Sequence, residues 1–153
     1  RGMEALQKEN TEEALEYFNK EVDENPKNGY AYSWIALLRD SQEEYGRALT
    51  AVNLAIKNLP KKDAEFLAAT YNIRANVYLE LKDTISALND YASAIKVMPS
   101  YDKAYEKRAQ IYYEQSKYDL ADADYKQLIK LDEADVMGYM GLGRNYNAKK
   151  QWE

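Results

Sequence analysis

Tyr71–Pro99 reads YNIRANVYLELKDTISALNDYASAIKVMP, and its spacing decides the fold. Ala87, Leu88, Tyr91, Ala94, Ile95 and Met98 recur at intervals of three and four, the period of a helix with one apolar face. Tyr71, Ala75 and Tyr78 keep the same period in the stretch before them. Pro99 stands where the second pattern stops. Proline lacks the backbone N–H and its ring collides with the preceding turn, so it follows a helix rather than interrupting one. The stretch predicts a pair of helices joined by a short turn.

The pattern returns at a fixed distance. Tyr71, Tyr105 and Tyr139 are 34 residues apart, as are Tyr78, Tyr112 and Tyr146. Ala87 to Ala121, Tyr91 to Tyr125, Ala14 to Ala48 and Pro26 to Pro60 repeat that interval. Ala48 to Ala87 and Pro60 to Pro99 are both 39, so five residues are inserted between them. These fall in Lys61–Leu67 (KKDAEFL), which has no Gly or Pro and is expected to lengthen the first helix of its unit by more than a turn. Phe66 then either extends the packing or forms a raised lip against a ligand. Tyr45–Leu59 sets Ala48, Val52, Ala55, Ile56 and Leu59 on one helical face. Asn28, Asp63, Asp102 and Asp135 are placed to cap the helices that follow them. Nothing reads as a strand. One such unit cannot bury its apolar stripe alone, so the units are expected to stack.

The pattern resembles the tetratricopeptide repeat family, whose unit carries W-x2-L-G-x2-Y, then A-x3-F, then P. Tyr71, Ala75, Tyr78, Ala87, Tyr91 and Pro99 match one unit. Tyr105, Ala109, Tyr112, Ala121 and Tyr125 match the next, with Glu133 where Pro would fall. An earlier unit has Tyr32, Ile35, Ala36, Ala48, Val52 and Pro60, but Arg39 in place of the second aromatic. Gly2, Ala14, Phe18 and Pro26 keep part of one unit, and Tyr139, Leu142, Gly143 and Tyr146 the first helix of another. The resemblance implies an all-α, right-handed solenoid of stacked antiparallel helix pairs, monomeric, elongated and curved, with about nine helices. Its expected divisions are a partial repeat at 1–28, a repeat with the extension at 29–67, repeats at 68–101 and 102–135, and a partial repeat or capping helix at 136–153. Ala36, Ala75, Ala109 and Gly143 are expected where paired helices approach closely. The tyrosines on repeat positions, Tyr32, Tyr45, Tyr71, Tyr78, Tyr91, Tyr105, Tyr112, Tyr118, Tyr125, Tyr139 and Tyr146, are expected in the core.

Composition narrows the function. The 153 residues are 46% hydrophobic and 31% charged, which suits a folded chain rather than a disordered one. The absence of Cys and His removes disulfides, thiolate nucleophiles, the usual zinc ligand sets and every His-dependent triad. A net charge of -5, with Lys and Arg scattered among acids, argues against nucleic acid. No apolar run approaches the ~18 residues of a membrane span. Asp119, Asp122 and Asp124 lack the Gly turn and terminal Glu of a calcium loop, and are expected to form a solvated helix face. The expectation is a non-enzymatic chain with no metal or cofactor. It begins at Arg1 rather than Met and is expected to be cut from a longer array; its compartment is not legible.

The resemblance further implies a concave groove lined by the first helices of successive units. Here the lining is Tyr30, Ser33 and Leu37, then Asn72 and Asn76, then Lys103, Glu106, Gln110 and Tyr113, and finally Met140 and Arg144. Asn72 and Asn76, one turn apart, could each hold a peptide amide. One subtype of the family, a clamp for chaperone tails, uses Lys and Asn one turn apart, then Asn, then Lys and Arg. In the best register those places hold Ser33, Leu37, Ile73, Lys103 and Lys107, so only the last basic pair survives; the next register gives Asn72, Asn76, Lys107, Met137 and Gly141 and keeps one Asn. An asparagine ladder, the second subtype, is absent. The reading is a protein-interaction scaffold that takes a peptide or helix in the groove. The alternative is a structural spacer within a longer multidomain protein, whose array stacks on itself or onto a catalytic or membrane-anchored part of that chain; its open ends carry Gly2 and Leu6 on one side and Trp152 on the other.

Overall fold

The computed structural model describes the backbone of residues 2–151 and the side chains of residues 8–151. The expectations for Leu6 and Trp152 lie outside the described side chains. The described residues form eight helices and no strand: α1 (Gly2–Glu24), α2 (Gly29–Ser41), α3 (Tyr45–Asn58), α4 (Ala64–Glu80), α5 (Thr84–Val97), α6 (Asp102–Glu114), α7 (Tyr118–Leu131) and α8 (Val136–Lys150). About nine were expected. The difference lies in α1, where the two helices of the first partial repeat run together as one of 23 residues. Nothing in Lys8–Glu13 (KENTEE) forces a break, since it holds neither Gly nor Pro.

Local chemistry accounts for the boundaries. Pro26, Pro60 and Pro99 each lie two residues beyond α1, α3 and α5. Asn28, Asp63 and Asp135 accept the N–H groups of Ala31, Phe66 and Gly138, capping α2, α4 and α8. Asp102 departs from expectation: it is the first helical residue of α6, and Tyr101 holds the cap position. The inserted residues lengthen α4 to 17 residues, against 13 in α2 and α6. The turn from first to second helix takes the same form three times. Glu43, Lys82 and Ser116 adopt φ of 61°, 64° and 60°. The next N–H in each case donates back five residues, from Glu44 to Arg39, Asp83 to Tyr78 and Lys117 to Tyr112.

The chain forms two compact units, divided inside α5 between Asp90 and Tyr91. In the first, α1, α2, α3 and α4 pack in sequence, with Leu15, Ile35, Ala36, Ala51 and Val52 as one buried cluster. In the second, Tyr105, Ala109, Ala121, Tyr125 and Leu128 form the cluster on which α6, α7 and α8 meet. Ala36, Ala75 and Ala109 are fully buried, as their small size required. Gly143 is not a point of close approach; open space surrounds it. Gly138 and Gly141 take that role, since a Cβ would run into Ile129 at the first and the Tyr125 ring at the second. Tyr139 and Tyr146 are also corrected: they are 55% and 67% exposed, because no described helix covers that side of α8.

Polar pairs were hidden in the repeat. Arg74 clasps Asp90 through two bonds of 2.8 and 2.7 Å, and Arg108 clasps Asp124 through bonds of 2.9 and 2.7 Å. Each guanidinium lies beside two tyrosine rings, Tyr71 and Tyr78 or Tyr105 and Tyr112. Asp124 is therefore buried rather than part of a solvated face. Asp122 is engaged too: it accepts from Asn145 at 2.8 Å and from Lys149 at 2.6 Å, joining α7 to α8.

Candidate binding surface

The expected lining residues fall on the first helices α2 and α4 of one unit and on α6 and α8 of the other. On α2, Tyr30 is 37% exposed and Leu37 41%. The Tyr30 ring meets Phe66 edge-on at 4.8 Å and its hydroxyl donates to Asp63 at 2.7 Å. That bond, with burial and the carboxylate's charge behind it, raises the phenol's pKa. Phe66 and Asp63 thus anchor Tyr30, and the α4 extension works as packing at this point. Ser33 departs from expectation because it is buried. Its hydroxyl lies 2.8 Å from Thr70 Oγ1, which itself donates to the Phe66 carbonyl, so Ser33 is the donor and is spent on joining α2 to α4.

Trp34 was missed. It is 44% exposed and stacks on Phe18 of α1 with an interplanar angle of 7°. Tyr30, Trp34 and Leu37 form a stripe at i, i+4, i+7 on α2, and that spacing could have revealed it. Asn72 and Asn76 are half-buried on the neighbouring α4. The first unit therefore presents two aromatics and a leucine, with two amides on the adjoining helix.

In the second unit the structure brings Tyr113 and Arg144 together. The guanidinium lies 4.0 Å from the Tyr113 ring centroid, and one of its nitrogens donates to the Tyr125 hydroxyl at 2.9 Å. An arginine stacked on one ring and tied to another oxygen loses little freedom on binding, which makes it a preorganised donor platform. Tyr113 is further held by the edge of Tyr118 at 5.7 Å. Met140, one turn before Arg144 on α8, is 64% exposed. Lys103 and Gln110 are exposed and Glu106 half-buried on α6, so the rim is mixed in charge. Among the described residues no cluster of carboxylates is arranged to hold a metal ion, and no helix is long and apolar enough to cross a membrane.

Family models described as tetratricopeptide repeat match residues 1–63 and 102–135. The small glutamine-rich tetratricopeptide repeat-containing protein 2 of Saccharomyces cerevisiae is 34% identical over 88 residues, covering 56% of this chain and 25% of that protein. The DnaJ homolog subfamily C member 7 homolog of Dictyostelium discoideum is 29% identical, covering 86% of this chain and 26% of its own. The chain thus spans about a quarter of the length of these relatives. Among solved structures, MamA superposes with a TM-score of 0.80 at 18% identity, covering 96% of this chain and 83% of that one. The repeats found along the sequence, the eight helices and these likenesses agree: the chain belongs to the tetratricopeptide repeat family.

Proposed function

We infer that the chain is a protein-interaction scaffold that holds a peptide or helical segment of a partner on its first helices. The observation that carries this reading is the exposed Tyr30–Trp34–Leu37 stripe of α2, alongside the amides of Asn72 and Asn76. Large aromatics exposed in a row mark contact surfaces, and truncating such anchors costs about 2 kcal/mol or more. The Tyr113–Arg144 platform of the second unit is a further contact of the same kind. A solved structure of the first repeat domain of Spaghetti (RPAP3), bound to HSP90 peptide SRMEEVD, superposes on 80% of this chain with a TM-score of 0.69 at 20% identity. That likeness supports a binding role, but the residues here differ: Ser33 is buried and Leu37 is apolar. A partner recovered on the immobilised chain should lose about thirtyfold in affinity for Trp34→Ala, and as much for Tyr113→Ala. Undiminished binding by the Trp34→Ala, Asn76→Ala double variant moves the site off α2 and α4.

One observation favours a second reading, self-association. Val136, Tyr139 and Tyr146 are 65%, 55% and 67% exposed on one side of α8. The equivalents of the two tyrosines in α4 and α6 (Tyr71, Tyr78, Tyr105 and Tyr112) are buried or half-buried. A second copy could cover this face.

A further inference from the structure

The first unit contains a cleft of about 490 Å3 between α1 and α3, above α2. Tyr32, Ile35 and Arg39 line it from the face of α2 opposite the Tyr30–Trp34–Leu37 stripe, and the rest of its lining comes from the second helices α1 and α3. Its floor is Val22, Ile35, Ala51 and Leu54, with Tyr32 as a wall. The repeat explains why the space is open. Ile35 and Ala51 stand 39 residues before Arg74 and Asp90, which stand 34 before Arg108 and Asp124. In those later places a guanidinium clasped on a carboxylate fills the position, flanked by two tyrosines. Here a pair of short apolar side chains replaces the ion pair, and Arg39 replaces the second tyrosine. Tyr32 keeps the place of the first tyrosine, and the space that the ion pair fills in the later units is left open above Ile35 and Ala51.

Charge selects what fits. Arg39 and Arg47 are the charged residues lining the cleft, and no acid lines it. Both reach back to one carboxylate: Arg39 to Glu44 at 3.1 Å, and Arg47 to the other Glu44 oxygen at 3.0 Å. Two cations thus share one anion, and the Arg47 side chain is 70% exposed and able to turn toward a ligand. Gly46 leaves the mouth clear, since a Cβ there meets nothing within 4 Å. A neighbouring cleft along α1 shares Arg39 and has Lys20, but four acids line it (Glu12, Glu16, Asp23 and Glu44), so a ligand's negative charge is directed to the α3 side. Clefts of this size suit a few side chains of a partner or a small molecule.

We propose that this cleft is a docking site for a partner segment that carries a bulky apolar side chain next to carboxylates. The apolar group enters over Ile35 and Ala51, and the carboxylates balance Arg39 and Arg47 at the rim. The site is independent of the first-helix surface.

The test titrates the whole chain with an acetylated, amidated octapeptide GSDLFEDS, followed by NMR, beside its counterpart GSKLFKKS. Saturable shifts at Val22, Gly46 and Leu54 are expected for the acidic peptide, with the lysine peptide at least tenfold weaker. The double substitution I35R/A51D copies the ion pair of the later units into the cleft and should abolish binding. Gly46→Leu adds bulk at an exposed mouth position without touching the core and should weaken binding at least tenfold, with an unchanged circular dichroism spectrum. Trp34→Ala should leave this binding intact, which separates it from the first-helix reading. Equal affinity for the two peptides, shifts confined to other residues, undiminished binding in Gly46→Leu, or no saturable binding at millimolar peptide would each overturn the proposal.

Discussion

At the scale of single residues, the buried ion pairs show why the repeat tolerates different solutions at one place. Asp90 and Asp124 are 4% exposed, and each carboxylate receives both bonds of a guanidinium fork. Such a pair gives up hydration that its mutual attraction roughly restores, whereas one partner left alone is a buried, unmatched charge. Arg108→Ala should therefore cost about 3–5 kcal/mol. The double substitution R108I/D124A, which copies Ile35 and Ala51, should cost far less, and a double-mutant cycle by urea unfolding checks this. The left-handed turn residues carry a smaller strain. A side chain at positive φ costs roughly 1–2 kcal/mol, partly offset by the greater freedom that glycine loses on folding. Glu43→Gly, Lys82→Gly and Ser116→Gly should each stabilise the fold by about 0.5–1 kcal/mol, read from thermal unfolding. The ion pairs could have been seen in the sequence, since Arg74/Arg108 and Asp90/Asp124 keep the same 34-residue step as the tyrosines. The turns could not: Glu, Lys and Ser at those places share no property that announces positive φ.

At the scale of elements, α8 is attached differently from its counterparts. Asn145 occupies the place of Leu38, Val77 and Ile111, and Asp122 that of Leu49 and Leu88, so a largely apolar contact becomes a polar one. Lys149 completes it with bonds of 2.8 Å to Asp119 and 2.6 Å to Asp122. The hydrogen bond from Lys149, aided by its charge, holds Asp119 below its usual 3.8; the bonds to Asp119 and then Asp122 hold Lys149 above its usual 10.5. A lowered carboxyl contributes stability present above 3.8 and lost as the pH falls through its folded value. A raised ammonium contributes stability present below 10.5 and lost as the pH rises through its folded value. Hydrogen exchange on α8 should therefore be slowest between about pH 5 and 9, after correction for intrinsic rates, and accelerate on both sides. The glycines of α8 should split. Gly143→Ala faces open space and should stabilise the helix by about 1 kcal/mol, while Gly141→Ala drives a methyl into the Tyr125 ring and should undock it. Helix existence was legible here from periodicity and the Asp135 cap. Which glycine marks the close approach was not, because that depends on where Tyr125 lies across α7.

At the scale of the whole molecule, charge is unevenly spread along the chain. Helix α1 has eight carboxylates against two lysines, while α8 has three cations and no acid. The repeat period, helix pairing and most of the core were legible because they depend on spacing alone. The candidate surface was only partly so: Tyr30, Leu37, Tyr113, Met140 and Arg144 present accessible surface, whereas Ser33 is buried and Trp34 went unrecognised. Repeat position tells which helix face a residue occupies, but not whether a neighbour such as Thr70 closes over it. The missing donors give one expectation: a free acidic chaperone tail should show no saturable micromolar binding by calorimetry. The exposed side of α8 gives the last. Burying aromatics the size of Tyr139 and Tyr146 in a second copy removes apolar area from water at about 25 cal/mol per Å2, and the acidic α1 of that copy offers a complementary charge. Association through these surfaces should then rise with protein concentration and weaken between 50 and 500 mM salt, measured by sedimentation velocity. Tyr139→Glu with Tyr146→Glu should leave a single slow species at every concentration, since the added charges sit on the contact and touch nothing in the core. A sedimentation coefficient independent of concentration at low salt, in the unsubstituted chain, would remove self-association and leave partner binding as the basis for a scaffold role.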